Sequence, residues 1–217
     1  MKHLIYKLHP TLITNQKQRT GSLFHSVAIP FLKQGELDGA CGPYSVWTSM
    51  LIFGFVSRND VIAGGVFKKP KLRRAWKISK KLFMNGADED DMSDLLKALN
   101  VFINFQEVSA SMHAVIAFTI EKLEKSALVI LGFETSTGEG HWMLAVGIEG
   151  LQTGSRLIPT GILCIDCEEP APSIAPFNVR VILNATKSGD EFTQYFSSSG
   201  ERQNVKLTSA FAISKRK

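Results

Sequence analysis

Gln34-Gly-Glu-Leu-Asp38-Gly-Ala-Cys41-Gly-Pro43-Tyr-Ser-Val46-Trp47-Thr-Ser-Met50 is the stretch around which the rest of the chain is organised. Gly35, Asp38 and Gly39 deny the backbone a regular element, so the stretch opens as a loop. After Cys41 the pattern changes. Val46, Met50 and Phe53 recur at helical spacing, and Trp47 and Leu51 widen the apolar face. Pro43 fits only the first helical turn, where its missing N–H was an orphan donor anyway. Gly54 is a stop. The reading places a buried helix over 42–54 with Cys41 at or beside its N-cap. The positive end of the helix dipole favours a thiolate there. With a histidinium nearby, such placements bring a cysteine pKa from about 8.5 to roughly 3.5–7.5. A free cysteine is more often a small buried hydrophobe. The nucleophile reading therefore requires a base, a group to orient the base, and an oxyanion donor elsewhere in the chain.

The 217 residues suit one domain, and 44% hydrophobic residues allow a real core. No run reaches the roughly 18 apolar residues needed to span a bilayer. The N-terminus has no apolar h-region and no cleavage site, so no signal peptide is read. The expected location is cytoplasmic, or outside the cell by a route without a cleaved signal. Three cysteines, Cys41, Cys164 and Cys167, are too few for a disulfide scaffold. Cys164 and Cys167 lack the second pair that a zinc site needs, so neither a metal nor another cofactor is expected. The net charge of +5 lies largely in segment 68–81, in Lys68, Lys69, Lys71, Arg73, Arg74, Lys77, Lys80 and Lys81. It reads as a solvated helix face or as a patch for an acidic partner. No clear nucleic-acid motif accompanies it.

The chain divides into an arm over 1–30, with a strand near Leu23 to Ile29, a mainly helical part over 31–126, and a mainly β part over 127–217. A short helix is capped near Asn59 or Asp60, and a basic helix covers 71–84. Asp88, Glu89, Asp90, Asp91 and Asp94 sit on the first turn of another helix and lack the spacing of a calcium loop. A strand over 101–108 and a helix ending near Lys125, capped by Ser109 or Ser111, follow. Strands are expected over 127–133, 141–149, 161–167 and 179–184, with two more near 192–196 and 205–213. Helices first and an antiparallel sheet second is the α+β pattern.

Of five histidines, His3 and His9 lie in an end expected to fray. His141 opens a strand after Gly138-Glu-Gly140, and the following strand ends at Asp166. If the connecting turn is centred on Thr153-Gly154, His141 lies directly opposite Asp166, and Met143 opposite Cys164. Facing residues have Cβ atoms about 4.5–5.5 Å apart, close enough for the carboxylate to set the imidazole tautomer. A slip of one residue would put the two on opposite faces. Read alone, His141 is a loop-edge histidine with no role and Asp166 a strand-ending acid before a Pro-rich turn. Gln34, in the loop of Cys41, supplies amide N–H groups for an oxyanion, and the Cys41 N–H can supply another.

The ordered set Gln34, Cys41-Gly-Pro43-Tyr-Ser, Gly140-His141-Trp-Met-Leu-Ala-Val-Gly and Ile-Leu-Cys-Ile-Asp166 resembles the papain-like cysteine peptidases. Within them it is most similar to the bacterial double-glycine leader (bacteriocin-processing) peptidases. The resemblance spans 31–184. It implies a single papain-like domain over 1–217, with the nucleophile on a central buried helix and the helical part packed on a C-terminal antiparallel sheet. It also implies roles: Cys41 nucleophile, His141 base, Asp166 orienter, Gln34 part of the oxyanion hole, with a protein or peptide as substrate. Where that family has proline after the aspartate, this chain has Cys167. The expected activity is hydrolysis of a peptide or isopeptide bond through a thioester. The same chemistry would serve a deamidase, a peptidoglycan amidase or an acyl or amine transferase acting as a bacterial effector or toxin. A catalytically inactive papain-like binding module is the expectation of another class.

Overall fold

The structure, a computed structural model, describes residues 2–12, 30–35, 38–172, 175–183 and 191–216. The strand expected near Leu23 to Ile29, His25 and Asn184 lie outside them. Eight strands run through the described residues: β1 (His3–Leu8), β2 (Ile103–Ser109), β3 (Leu128–Thr135), β4 (Gly140–Thr153), β5 (Arg156–Ile165), β6 (Val179–Ile182), β7 (Thr193–Ser197) and β8 (Arg202–Lys215). The helices among them are α1 (Cys41–Ile52), α2 (Arg58–Ile62), α3 (Pro70–Leu82), α4 (Glu89–Ala98) and α5 (Met112–Glu124). None is long and apolar enough to cross a membrane.

The architecture corrects the expected α+β layout of a helical part packed on a C-terminal antiparallel sheet. Strands β4, β3, β8, β7, β6 and β5 pair in that order, and β5 pairs back onto β4. The six close an antiparallel barrel. β1 and β2 are additions, the first on β4 and the second on β8. β4 and β8 are 14 residues each, long enough to carry two short neighbours along one edge. β3 takes residues 140–145 of β4 and β1 takes residues 147–152. The protein is mainly β, and its helices clothe a barrel. The expectation failed because apolar runs fix strands and faces, whereas closure depends on pairings between distant segments that leave no local pattern.

Side-chain alternation then makes two cores. Val129, Leu131, Met143, Ala145, Ile162, Cys164, Val181, Leu207 and Ala210 share one cluster with Met112, Val115 and Leu123 of α5. Leu128, Ile130, Trp142, Leu144, Val146, Phe211 and Ile213 point the other way, into a cluster with α1, α3 and α4. The N-terminal residues do not fray: β1 pairs with β4, and His9 is buried against Phe53.

Helix α1 is apolar nearly all round, as a helix enclosed by others must be. Cys41, Val46, Trp47, Met50 and Ile52 are all buried. Each large apolar side chain so placed contributes about 1.5–3 kcal/mol. Pro43 occupies the first turn. The helix stops at Gly54, whose φ of +74° suits glycine. α2 is capped by Ser57 in a capping box with Asp60, rather than by Asn59 or Asp60. The acids of 88–91 do what was expected of them: Asp88 caps α4, Asp91 closes the box, and Glu89 and Asp90 sit in the first turn. On α3, Leu72, Ala75, Trp76 and Ser79 face inward, and the lysines and arginines are exposed.

Candidate active site

Cys41 is the first residue of α1 and is 7% exposed. The loop before it is folded by Asp38, whose carboxylate accepts from Gly35 N at 3.0 Å and Ala40 N at 3.2 Å. Gly39 N donates to Phe83 O at 2.7 Å and ties the loop to the end of α3. As the opening residue of a helix, Cys41 keeps an N–H with no intrahelical acceptor. Its neighbour Gly42 has a packing reason. A Cβ there would lie 2.6 Å from Met92 Sδ, 3.2 Å from Ala87 Cβ and 3.3 Å from Trp142 Cδ1. Gly42→Ala is expected to cost about 1–3 kcal/mol through overpacking and to displace α1 from β4. Urea denaturation measures the first effect, and a loss of Cys41 reactivity reports the second.

His141 and Asp166 meet as anticipated, by a different register. The turn is Gly154-Ser155, with Thr153 paired to Arg156, so both strands extend through the connection expected over 150–160. Cys164 faces Ala145 rather than Met143. The register slips between Ala145 and Gly147 and again between Glu149 and Gly150. At the end that carries His141 and Asp166 the difference from the expected pairing is two positions, which keeps both side chains on the expected face. His141 and Asp166 are therefore diagonal rather than direct neighbours. Diagonal pairs lie about 7–8 Å apart, within reach of long side chains. His141 Nε2 and Asp166 Oδ1 are 2.8 Å apart. The Cys41 thiol points to Gly39 O at 4.0 Å, and its sulfur is close enough to the same imidazole to favour the ring's charged form. Phe133 packs edge-on to it, with ring centroids 5.2 Å apart.

Asp166 is 1% exposed, and a buried charge persists only when hydrogen-bonded. Its Oδ1 also accepts from Glu168 N at 2.9 Å, and its Oδ2 from Tyr195 OH at 3.0 Å. The Asn178 side chain clamps its backbone, accepting from Asp166 N and donating to Asp166 O, both at 2.8 Å. Tyr195 and Asn178 escaped the sequence reading. They arrive from β7 and from the residue before β6, which the β5–β6 and β6–β7 pairings bring to the end of β5. Burial works against the imidazolium of His141, but the Asp166 carboxylate and the Cys41 sulfur outweigh it and hold the ring's pKa well above its ordinary value. Burial, then the Asp166 and Glu169 carboxylates, push the Tyr195 phenol far up, so it stays a donor.

Gln34 lies beside this group, 8% exposed. Its Nε2 donates to Asp38 O at 2.6 Å and to Glu168 Oε1 at 3.4 Å. The same Glu168 oxygen is 3.6 Å from His141 Nδ1. One carboxylate oxygen thus stands between the imidazole and the amide, where a negative oxygen is tolerated. Gln34, Cys41 and His141 line one cleft of about 800 Å³. Its walls carry Asp38, Asp88, Glu89, Asp91, Glu134 and Glu168 against Lys81.

His141, Asp166 and Cys167 have ligand atoms within 4.8 Å of one another. The donor set suits a metal poorly. His141 and Asp166 bond each other, and the Cys167 thiol donates to Gln34. Burial and the neighbouring Asp166 push that thiol's pKa well up, away from the thiolate a metal needs. Cys164 points into the barrel cluster and Cys167 into the other, as strand alternation required. All three cysteines are free. No protein-family model matches this chain, and no curated protein matches it either.

Proposed function

We propose that the protein is a cysteine peptidase that cleaves a peptide or isopeptide bond through Cys41, His141 and Asp166. The reading rests on the site, not on the fold. The observation that carries it is the imidazole of His141, bonded at 2.8 Å to a buried carboxylate and lining the same cleft as the cysteine that opens α1. The residues also stand in the order of the double-glycine leader peptidases that the motifs resemble. His141 takes the Cys41 proton, and the thiolate attacks the scissile carbonyl carbon. The oxygen that becomes negative is met by the Cys41 N–H and by the Gln34 amide, once substrate displaces Glu168. His141 returns the proton to the leaving amine as the C–N bond breaks. Water then attacks the thioester, giving one proton to His141, and the thiolate leaves.

The cleft walls favour a cationic substrate. Their acids outnumber Lys81 on a chain whose net charge is positive, so the local field opposes the global one. Peptides with Lys or Arg around the scissile bond are expected to react about tenfold faster than their Glu or Asp counterparts. Raising salt from about 0.05 to about 0.5 M should erase most of that difference, because the screening length falls to a few ångströms. The test is incubation of a peptide library with wild-type protein and with Cys41→Ala, reading new termini by mass spectrometry. Cys41-dependent termini beside basic residues support the proposal. A library left intact by wild type overturns it. Amine adducts or deamidated glutamines in place of new termini would make the protein a transferase or deamidase using the same thioester.

A further inference from the structure

Of the two buried cysteines that this mechanism leaves unused, Cys167 is the one that touches the site. It follows Asp166 directly and is 4% exposed. Two bonds join it to Gln34. Gln34 N donates to Cys167 O at 2.9 Å, and Cys167 Sγ donates to Gln34 Oε1 at 3.1 Å. The first fixes where the Gln34 backbone runs. The second fixes which end of its side chain faces the cleft. A carboxamide has two ends of nearly equal size, and only their partners distinguish them. A thiol donates, so Oε1 must face Cys167, and Nε2 is turned toward Asp38 O and the oxygen of Glu168. Burial, with the charges of Asp166, Cys41 and Glu168, keeps the thiol protonated and so keeps it a donor.

We propose that Cys167 is a positioning residue that holds the Gln34 carboxamide with its N–H groups presented to the developing oxyanion. This rests on the peptidase reading. It gives a reason for a cysteine where the resembled family has proline, which carries no donor at all. An oxyanion donor acts only if aimed before the reaction, and small misplacements near a reacting centre are costly in rate.

The test compares Cys167→Ala, Cys167→Val and Cys167→Ser, alone and combined with Gln34→Ala. Loss of the donor in Ala and Val is expected to lower kcat about tenfold with KM within about twofold, while Ser, which keeps a donor, stays within about threefold of wild type. In the Gln34→Ala background the Cys167 substitutions are expected to add no further loss. Wild-type kcat in both Ala and Val, or an equal loss on top of Gln34→Ala, overturns the proposal. A readout independent of turnover is the Gln34 side-chain NH₂ pair in ¹H–¹⁵N spectra. It should shift or double in Ala and Val and keep its place in Ser. If wild type cleaves nothing yet the NH₂ pair responds in this way, the peptidase reading falls while the control of the amide by Cys167 stands. An NH₂ pair unmoved in Ala and Val overturns that control.

Discussion

Cys41→Ala should lower peptide turnover by at least about 10³-fold while the protein stays folded. Removing a nucleophile leaves only what the binding cleft and the oxyanion donors can do alone. The structural cost is small, because the change deletes one sulfur from a side chain at the mouth of the cleft, about 1 kcal/mol of buried surface. Helix α1 is held by Val46, Trp47 and Met50 and by Ser45 Oγ, which donates to Trp142 O at 3.4 Å, and none of these contacts involves the sulfur. Progress curves give the first quantity and a thermal melt the second. An alkylating agent at about pH 5–6 sharpens the test. Wild type should be labelled at Cys41, the cysteine that lines the cleft with His141. Cys164 and Cys167 should not react. Burial first, and then the charge of Asp166, push both thiols well above their ordinary pKa. Retained turnover in the alanine variant would end the peptidase proposal.

Asp166→Asn carries the second large effect. The carboxylate accepts three donors, His141 Nε2, Glu168 N and Tyr195 OH. An asparagine keeps the volume and turns one acceptor into a donor. Its NH₂ can face only Tyr195, whose hydroxyl must then accept. The imidazole loses the carboxylate bonded to its Nε2 and keeps only the more exposed Glu168 at 3.6 Å, so the pKa of His141 falls. In wild type the raised pKa keeps the general acid protonated into the alkaline range. In the variant the alkaline limb of kcat should move to lower pH, and kcat at its optimum should drop about 10²-fold. Stability follows the same sign. A group whose pKa is raised on folding contributes stability that is complete below its unfolded value, about 6.5, and is lost as pH rises through the folded one. The variant should lose that dependence. Denaturation midpoints across pH, with the His141 ring protons titrated by NMR, check both. An unchanged His141 titration would remove Asp166 from its role.

Much of this site could be read from the chain. Pro43 and Gly54 bracket α1 because the first turn and the exit of a helix each admit what its middle rejects. The acids at 88–91 announce α4 by the charge that a helix start prefers. Gln34 and Cys41 share one loop, so their proximity is local. The His141–Asp166 pairing survived a wrong turn because strand faces repeat every two residues and the error was two. What stayed hidden came from elsewhere in the ring. Tyr195 reaches Asp166 only because β7 sits beside β6 and β8, and Asn178 only because the chain doubles back before β6. No periodicity in 178 or 195 points to 166. The barrel closes through the β3–β8 pairing between segments far apart in the chain, which no local pattern announces either.

The β4–β5 hairpin carries a practical corollary. From His141 to its tip at Gly154-Ser155 the strand runs about 40 Å at roughly 3.3 Å per residue. Residues 153–156 at that tip are exposed, while β1 braces the ribbon behind them. A reporter domain or affinity handle spliced between Gly154 and Ser155 would ride on a stiff mast, far from the sulfur. Immobilisation through that mast would present the cleft to solvent and leave both chain ends unmodified.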